Sequence, residues 1–402
     1  MNTTAPEGPA VRLHRLSMVA EDDGVVIGRP DIASYAVFPE EGAQVLQMLA
    51  AGTPVADVAA WYEHQVGEPL EVTDLLRALA DLGFLLTDEE TEPVSATVGW
   101  QRLGRWLFSW PTAVGYLVLV AAAVAAMIVN PALRPSYRDL FFTSYVSLIP
   151  VVSLAVAIPP ILLHEACHAL AGRRLGLPSQ LGISRRFYYI VAETRMDSLL
   201  SVPRRRRYLP FLAGVLADTA VIAAFTLLSV ALDQRGIPGW YSRLCLVVAF
   251  TCVLRLIWQC MLHLQTDFYY VLANAFRCND LQNATRFYLR ARLGRLIPVR
   301  GTEHQDAEWS DRDRMMARWY APIFVIGYGF SLFSLIWAGI PTFVRLWSMV
   351  VDRFDHGASA AGFVDAGVFV VMASFQFGLL IHVTLRDRRT RARETISLGA
   401  IS

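Results

Sequence analysis

The chain has 402 residues, 54% of them hydrophobic, with a mean hydropathy of +0.39 and a formal net charge of +1. Such hydropathy excludes an ordinary soluble protein, and the near-neutral charge points to neither nucleic acid nor an acidic substrate. There is no lysine, so all 36 basic residues are arginine, a bias of genomic composition. Four of the five cysteines (Cys167, Cys245, Cys252, Cys260 and Cys278) lie in apolar runs and none forms a CxxC pair. They read as small buried side chains, not as a disulfide framework.

The first hundred residues contain no long apolar run, so no signal peptide is expected there. Residues 1–92 read as a small α+β domain. Val11 to Ala20, Gly24 to Gly28 and Ser34 to Phe38 are β-rich, with a turn at Asp22-Asp23-Gly24. Three helices follow. Pro39 opens one whose Ala43, Val45, Leu46 and Leu49 form a stripe ending at Gly52; the second runs from Pro54 to about His64. The third spans Val72 to Leu82 with Gly83 as its cap. Three strands, three helices and the closing Leu82-Gly83-Phe84-Leu85-Leu86 resemble the winged-helix-like PqqD-like domains of ribosomal peptide modification systems. That resemblance implies a partner: the leader of a peptide precursor, added as a strand to the sheet edge. A generic winged-helix module or a regulatory cap is the alternative.

After a linker at 93–105, the rest is expected to be mainly α and polytopic in the membrane. Apolar runs near 106–129, 140–165, 208–232, 243–267, 319–343 and 359–383 each approach the roughly 20 residues needed to cross the hydrocarbon. They divide into a core at 106–276, a basic connection at 277–318 and a terminal hairpin at 319–385. Arginines crowd 173–207, 277–318 and the tail at 386–402, so both termini are expected in the cytoplasm. Within the connection, Leu281, Tyr288, Leu289, Leu293 and Leu296 alternate with Arg286, Arg290, Arg292 and Arg295, which suggests an amphipathic helix on the inner leaflet.

The second span ends in His164-Glu165-Ala166-Cys167-His168, an HExxH motif. On a helix the two histidines share a face and can hold one metal ion, while Glu165 lies roughly 100° round and can act on a water there. Counting about 1.5 Å per residue from each span's entry brings Asp267 to the level of His164, which makes it the candidate third ligand. The same count sets Asp218 too deep and pairs it with Arg255. His263, one turn before Asp267 on a continuous helix, is a candidate ligand or supporting residue.

These residues resemble the site-2 protease family of membrane zinc metalloproteases. The similarity covers about residues 140–280: HEACH continued by Ala169-Leu170-Ala171-Gly172, a strand-like segment from Leu181 to Thr194, Phe211-Leu212-Ala213-Gly214, and Asp267 before a run of aromatics. It implies a bound Zn2+ held by His164, His168 and Asp267, with Glu165 as the general base of peptide hydrolysis. Phe268 stands where the family has glycine, Val215 where proline is usual, and Asp218 where asparagine is common.

Taken together, the expected function is a multi-pass zinc endopeptidase of a bacterial inner membrane that removes the leader from a precursor bound by the N-terminal domain. Cleavage of a membrane-bound regulator such as an anti-sigma factor is the alternative within the enzyme class. A non-proteolytic export or immunity component is the alternative outside it.

Overall fold

The computed structural model describes residues 11–21, 24–32, 34–86, 98–141, 148–278, 280–294 and 311–341, with short runs between 344 and 386. It is mainly helical. The helices are α1 (Glu40–Ala50), α2 (Val55–Val66), α3 (Val72–Asp81), α4 (Gln101–Leu107), α5 (Trp110–Val129), α6 (Leu148–Arg174), α7 (Arg204–Gln234), α8 (Gly239–Gln259), α9 (Asp267–Ala275), α10 (Leu281–Gly294) and α11 (Asp311–Ser334). Strands β1 (Ser17–Glu21), β2 (Gly24–Arg29) and β3 (Ser34–Phe38) form one sheet, and β4 (Gln180–Arg186) and β5 (Tyr189–Arg195) another. By contact the chain divides into two compact units: Met1–Arg105, Ala169–Gln180 and Arg195–Pro210 in the first, and Trp106–His168, Leu181–Thr194 and Phe211–Ser402 in the second.

In the first unit β2 is central and both its pairings are antiparallel, Ser17 opposite Gly28 and Val25 opposite Phe38. Glu21 pairs with Gly24, which adopts a φ of 135° open to glycine; Asp22 and Asp23 of the expected turn lie outside the described residues. The four apolar residues expected to line α1 are all buried, and they pack with Ile27, Val58, Leu79 and Phe84. Gly83 takes the left-handed conformation, φ 69°, that ends α3 and turns Phe84 inward. The β run expected from Val11 is shorter than its composition suggests. Residues 11–16 lie outside any strand, and Leu13 makes an isolated bridge to Leu85 instead.

The segments 169–180 and 195–210, read from sequence as part of the membrane core, group with this sheet. A buried ion pair accounts for part of this: Glu21, at the end of β1, meets both Arg204 and Arg207, the latter at 2.6 Å.

In the second unit and at its helix boundaries, α5, α6, α7, α8 and α11 are long and apolar enough to cross a membrane. Helix α5 shows why. It is apolar on every side, and Leu117, Val118, Ile128 and Val129 are exposed, a surface suited to lipid and not to water. Six spans were expected and five are present among the described residues. The sixth corresponds to a shorter apolar helix, Val370–Arg386, that runs over undescribed positions, and the tail beyond Arg386 lies outside the described residues.

Two boundaries differ from expectation. Helix α6 continues to Arg174, ten residues or roughly 15 Å past His164, so the HExxH motif sits inside the helix and not at its end. Helix α8 stops at Gln259, and Asp267 opens the separate helix α9. The amphipathic α10 exposes Arg286, Arg290 and Arg292 as expected, but Leu281 is buried in a cluster with Tyr269 and Tyr320 instead of facing a bilayer.

Leu46 is fully buried in the first unit's core. Leu46→Ala is expected to lower the unfolding free energy by about 2–5 kcal/mol through lost burial and a cavity. Val37→Ala, on an exposed position of β3, should change it by no more than about 0.5 kcal/mol. Hydrogen exchange over residues 11–86 of the full chain is the measurement.

Candidate metal centre

Helix α6 supplies the first two donors. His164 and His168 stand one turn apart, both almost wholly buried, with ring centroids 4.8 Å apart and their Nε2 atoms 3.1 Å apart. The third donor arrives by an irregular path. After α8 ends, the chain makes a short 3-10 turn at Leu262–Leu264, passes through Gln265 in the left-handed conformation (φ 56°), and starts α9 at Asp267. Gln259 fixes both ends of this detour: its carbonyl accepts from Thr266 Oγ1 at 2.7 Å, and its side-chain oxygen accepts from the Asp267 N–H at 2.9 Å. Asp267 Oδ2 then lies 3.2 Å from each histidine Nε2.

The three atoms form a nearly equilateral triangle. Tetrahedral coordination with bonds of about 2.0–2.1 Å puts neighbouring donors about 3.3 Å apart, so the spacing fits one shared ion. His164, His168 and Asp267 are the group among the described residues that could hold it.

An outer layer sets the direction of the donors. His164 Nδ1 is 2.9 Å from Asp218 Oδ2, so a proton held there for the carboxylate leaves the Nε2 lone pair facing the other two donors. Asp218 is fully buried and its charge is met by Arg255, whose Nε and Nη2 donate to Oδ1 at 3.0 and 2.6 Å. Gly214, one turn earlier on α7, lets that helix come close: a Cβ there would overlap Nε2 of both histidines. Glu165, also buried, faces β5, where Thr194 Oγ1 lies 2.8 Å from its Oε2 and 2.9 Å from its main-chain oxygen. The hairpin carrying Thr194 is tied to the loop before Asp267, because Arg186 donates to the Leu264 carbonyl at 2.9 Å.

Two readings from sequence are revised by this geometry. Asp218 pairs with Arg255 as expected, but it is not set apart by depth; it touches His164. The depth count failed because it placed His164 at the end of its helix, whereas α6 continues well beyond it. His263 does not share a helical face with Asp267, since the helix breaks between Gln259 and Asp267. Its Nε2 is 2.9 Å from Ser331 Oγ and its ring packs on Tyr328, with Gly327 leaving room for it. Burial holds this imidazole below its usual pKa range.

Thr194, Gln259 and Gly214 had no assigned role from sequence. Gly214 carried a signal as the glycine of Phe211-Leu212-Ala213-Gly214, and Thr194 as the end of the strand-like segment from Leu181; Gln259 carried none. Comparison of the chain with protein-family models, curated proteins and solved structures found no match.

Asp218→Asn retains the shape of the side chain but removes the charge that orients His164 and answers Arg255. Metal affinity, titrated with zinc against a competing chelator, is expected to fall about 10–100-fold.

Proposed function

We propose that this chain is a membrane zinc metalloprotease of the kind its HExxH region resembles, and that it trims the leader from a ribosomally made peptide precursor. The observation that carries the reading is the triangle of His164, His168 and Asp267 with the buried Glu165 beside it. Two imidazoles and one carboxylate are a donor set that suits zinc. When bound, zinc supplies an acidified water and a Lewis acid for the scissile carbonyl.

The chain's own residues do the rest. Glu165 takes a proton from the attacking water and returns it to the leaving amine, within the roles open to a buried carboxylate in such a site. Thr194 holds that carboxylate by a hydrogen bond, which limits its rotamers and keeps it beside the histidines. A peptide bond is reached only in an extended segment, because helical carbonyls are shielded. Strands β4 and β5, one of which carries Thr194, are suited to receive an extended segment as an added strand. The small sheet β1–β3 with α1–α3 supports a PqqD-like role in binding the leader. Five span-length helices support a multi-pass membrane protein, and the arginine distribution favours cytoplasmic termini in a bacterial inner membrane as part of the same proposal.

Co-expression with a candidate precursor tests the chemistry. Glu165→Ala should abolish leader removal while the protein still accumulates in the membrane; unchanged cleavage would remove Glu165 from the mechanism. Asp267→Ala should lower the zinc content of the purified protein below that of the parent.

Deletion of residues 1–90 tests recognition separately. Cleavage of the leader-bearing precursor should fall, and normal processing by the truncated enzyme would end the recognition role. Impaired cleavage of a membrane-bound regulator alone would favour regulated intramembrane cleavage.

A further inference from the structure

The arginine run that opens α7 is split by helix geometry. Arg204 and Arg207, three residues apart on one face, both meet the buried carboxylate of Glu21. Arg205 and Arg206 are exposed on another side. With Leu209 and Pro210, one turn further on, they line a cavity of about 440 Å3 whose remaining wall is Ala171, Arg174 and Leu175 at the end of α6. The neighbouring Arg173 is engaged with Ser179, at 3.0 Å to its hydroxyl and 3.3 Å to its carbonyl. Among the described residues, no carboxylate or hydrogen-bond acceptor meets the guanidinium groups of Arg174, Arg205 or Arg206.

Three like charges around one cavity repel each other, and an anion would turn that repulsion into attraction. The guanidinium fork suits phosphate oxygens in particular. A small hydrated anion would leave the apolar part of the wall unused, since Ala171, Leu175, Leu209 and Pro210 also face the cavity. A phosphate joined to an apolar body uses both. Position points the same way: Arg174 is the last residue of one span-length helix and Arg205 lies in the first turn of another, the level of lipid headgroups in one leaflet.

We propose that this cavity is a binding site for the phosphate of an anionic phospholipid. Arg174, Arg205 and Arg206 surround the phosphate, and the apolar wall receives the glycerol and the first acyl carbons. The inference rests on the membrane placement proposed above and is independent of the hydrolysis.

The full-length protein is reconstituted in vesicles of phosphatidylcholine with phosphatidylglycerol, and retained lipid is counted by native mass spectrometry after gentle extraction. The parent protein should keep one phosphatidylglycerol. Affinity should fall about fivefold for each charge removed in R174Q, R205Q and R206Q and their combinations. The triple lysine variant R174K/R205K/R206K should keep the lipid better than the triple glutamine variant but less well than the parent, since it retains the charge and loses the guanidinium fork. Removing arginines elsewhere, as R290Q/R292Q on α10, should leave retention unchanged.

Equal retention by the triple glutamine variant, or equal loss from the α10 variant, would overturn the site in favour of general surface charge. In vesicles of phosphatidylcholine alone, saturable binding of inorganic phosphate would overturn the lipid assignment in favour of a soluble anion. Displacement of phosphatidylglycerol by an acidic peptide would overturn it in favour of a peptide site. Flotation with vesicles is read first: a chain that does not float removes the membrane placement itself, whereas flotation without lipid retention removes only this site.

Discussion

Three electron-rich atoms aimed at one point, inside a site nearly closed to water, are the constraint on which this structure depends. Nε2 of His164, Nε2 of His168 and Oδ2 of Asp267 lie within 3.2 Å of one another. Buried polar groups brought this close are costly unless a cation, or protons, occupy the space between them. The protein answers with position. Helix α6 holds two donors by its own periodicity, and Gln259 clamps the loop that brings the third. Gly214 leaves out a Cβ that would collide with both rings. Each of these fixes a donor's position through the chain's own contacts.

The legible part of the fold was the part governed by local periodicity. The α1 stripe of Ala43, Val45, Leu46 and Leu49 could be read because a helix repeats every 3.6 residues, and all four are buried. Gly83 could be read because a helix end commonly needs a left-handed residue. The HExxH pair was legible for the same reason: two histidines four apart share a face on any helix. Helix ends inside long apolar runs were not legible. Apolar character continues past Gln259, so nothing in the composition marks where α8 stops. The break is made by tertiary hydrogen bonds from Gln259 to Thr266 and Asp267, contacts that no local pattern announces.

That difference explains how Asp267 was placed at the right level by a wrong route. Counting residues along a continuous helix brought it near the histidines, and the chain does bring it there, but through a 3-10 turn and a left-handed residue. The same continuous helix would have set His263 beside it. The break turns His263 towards Ser331 and Tyr328 instead. Depth counting is sound only while a helix remains unbroken and its end is known. Neither held for the two helices in question.

Asp218 has a physical counterpart elsewhere in the chain. A neutral amide at this position would need no counter-charge. An aspartate buried to zero exposure does need one, and Arg255 supplies it from α8 with a two-pronged contact. Each member alone would leave a charge stranded in a medium that penalises it by several kcal/mol. The two residues are therefore best understood as one unit. What the unit adds over an amide is a full negative charge 2.9 Å from His164 Nδ1, which favours one tautomer and strengthens the other nitrogen as a donor. A charge that helped only the pair itself would be no gain in this setting, since a buried ion pair seldom stabilises a fold better than apolar side chains do. Its contact with His164 gives it a reason to be there.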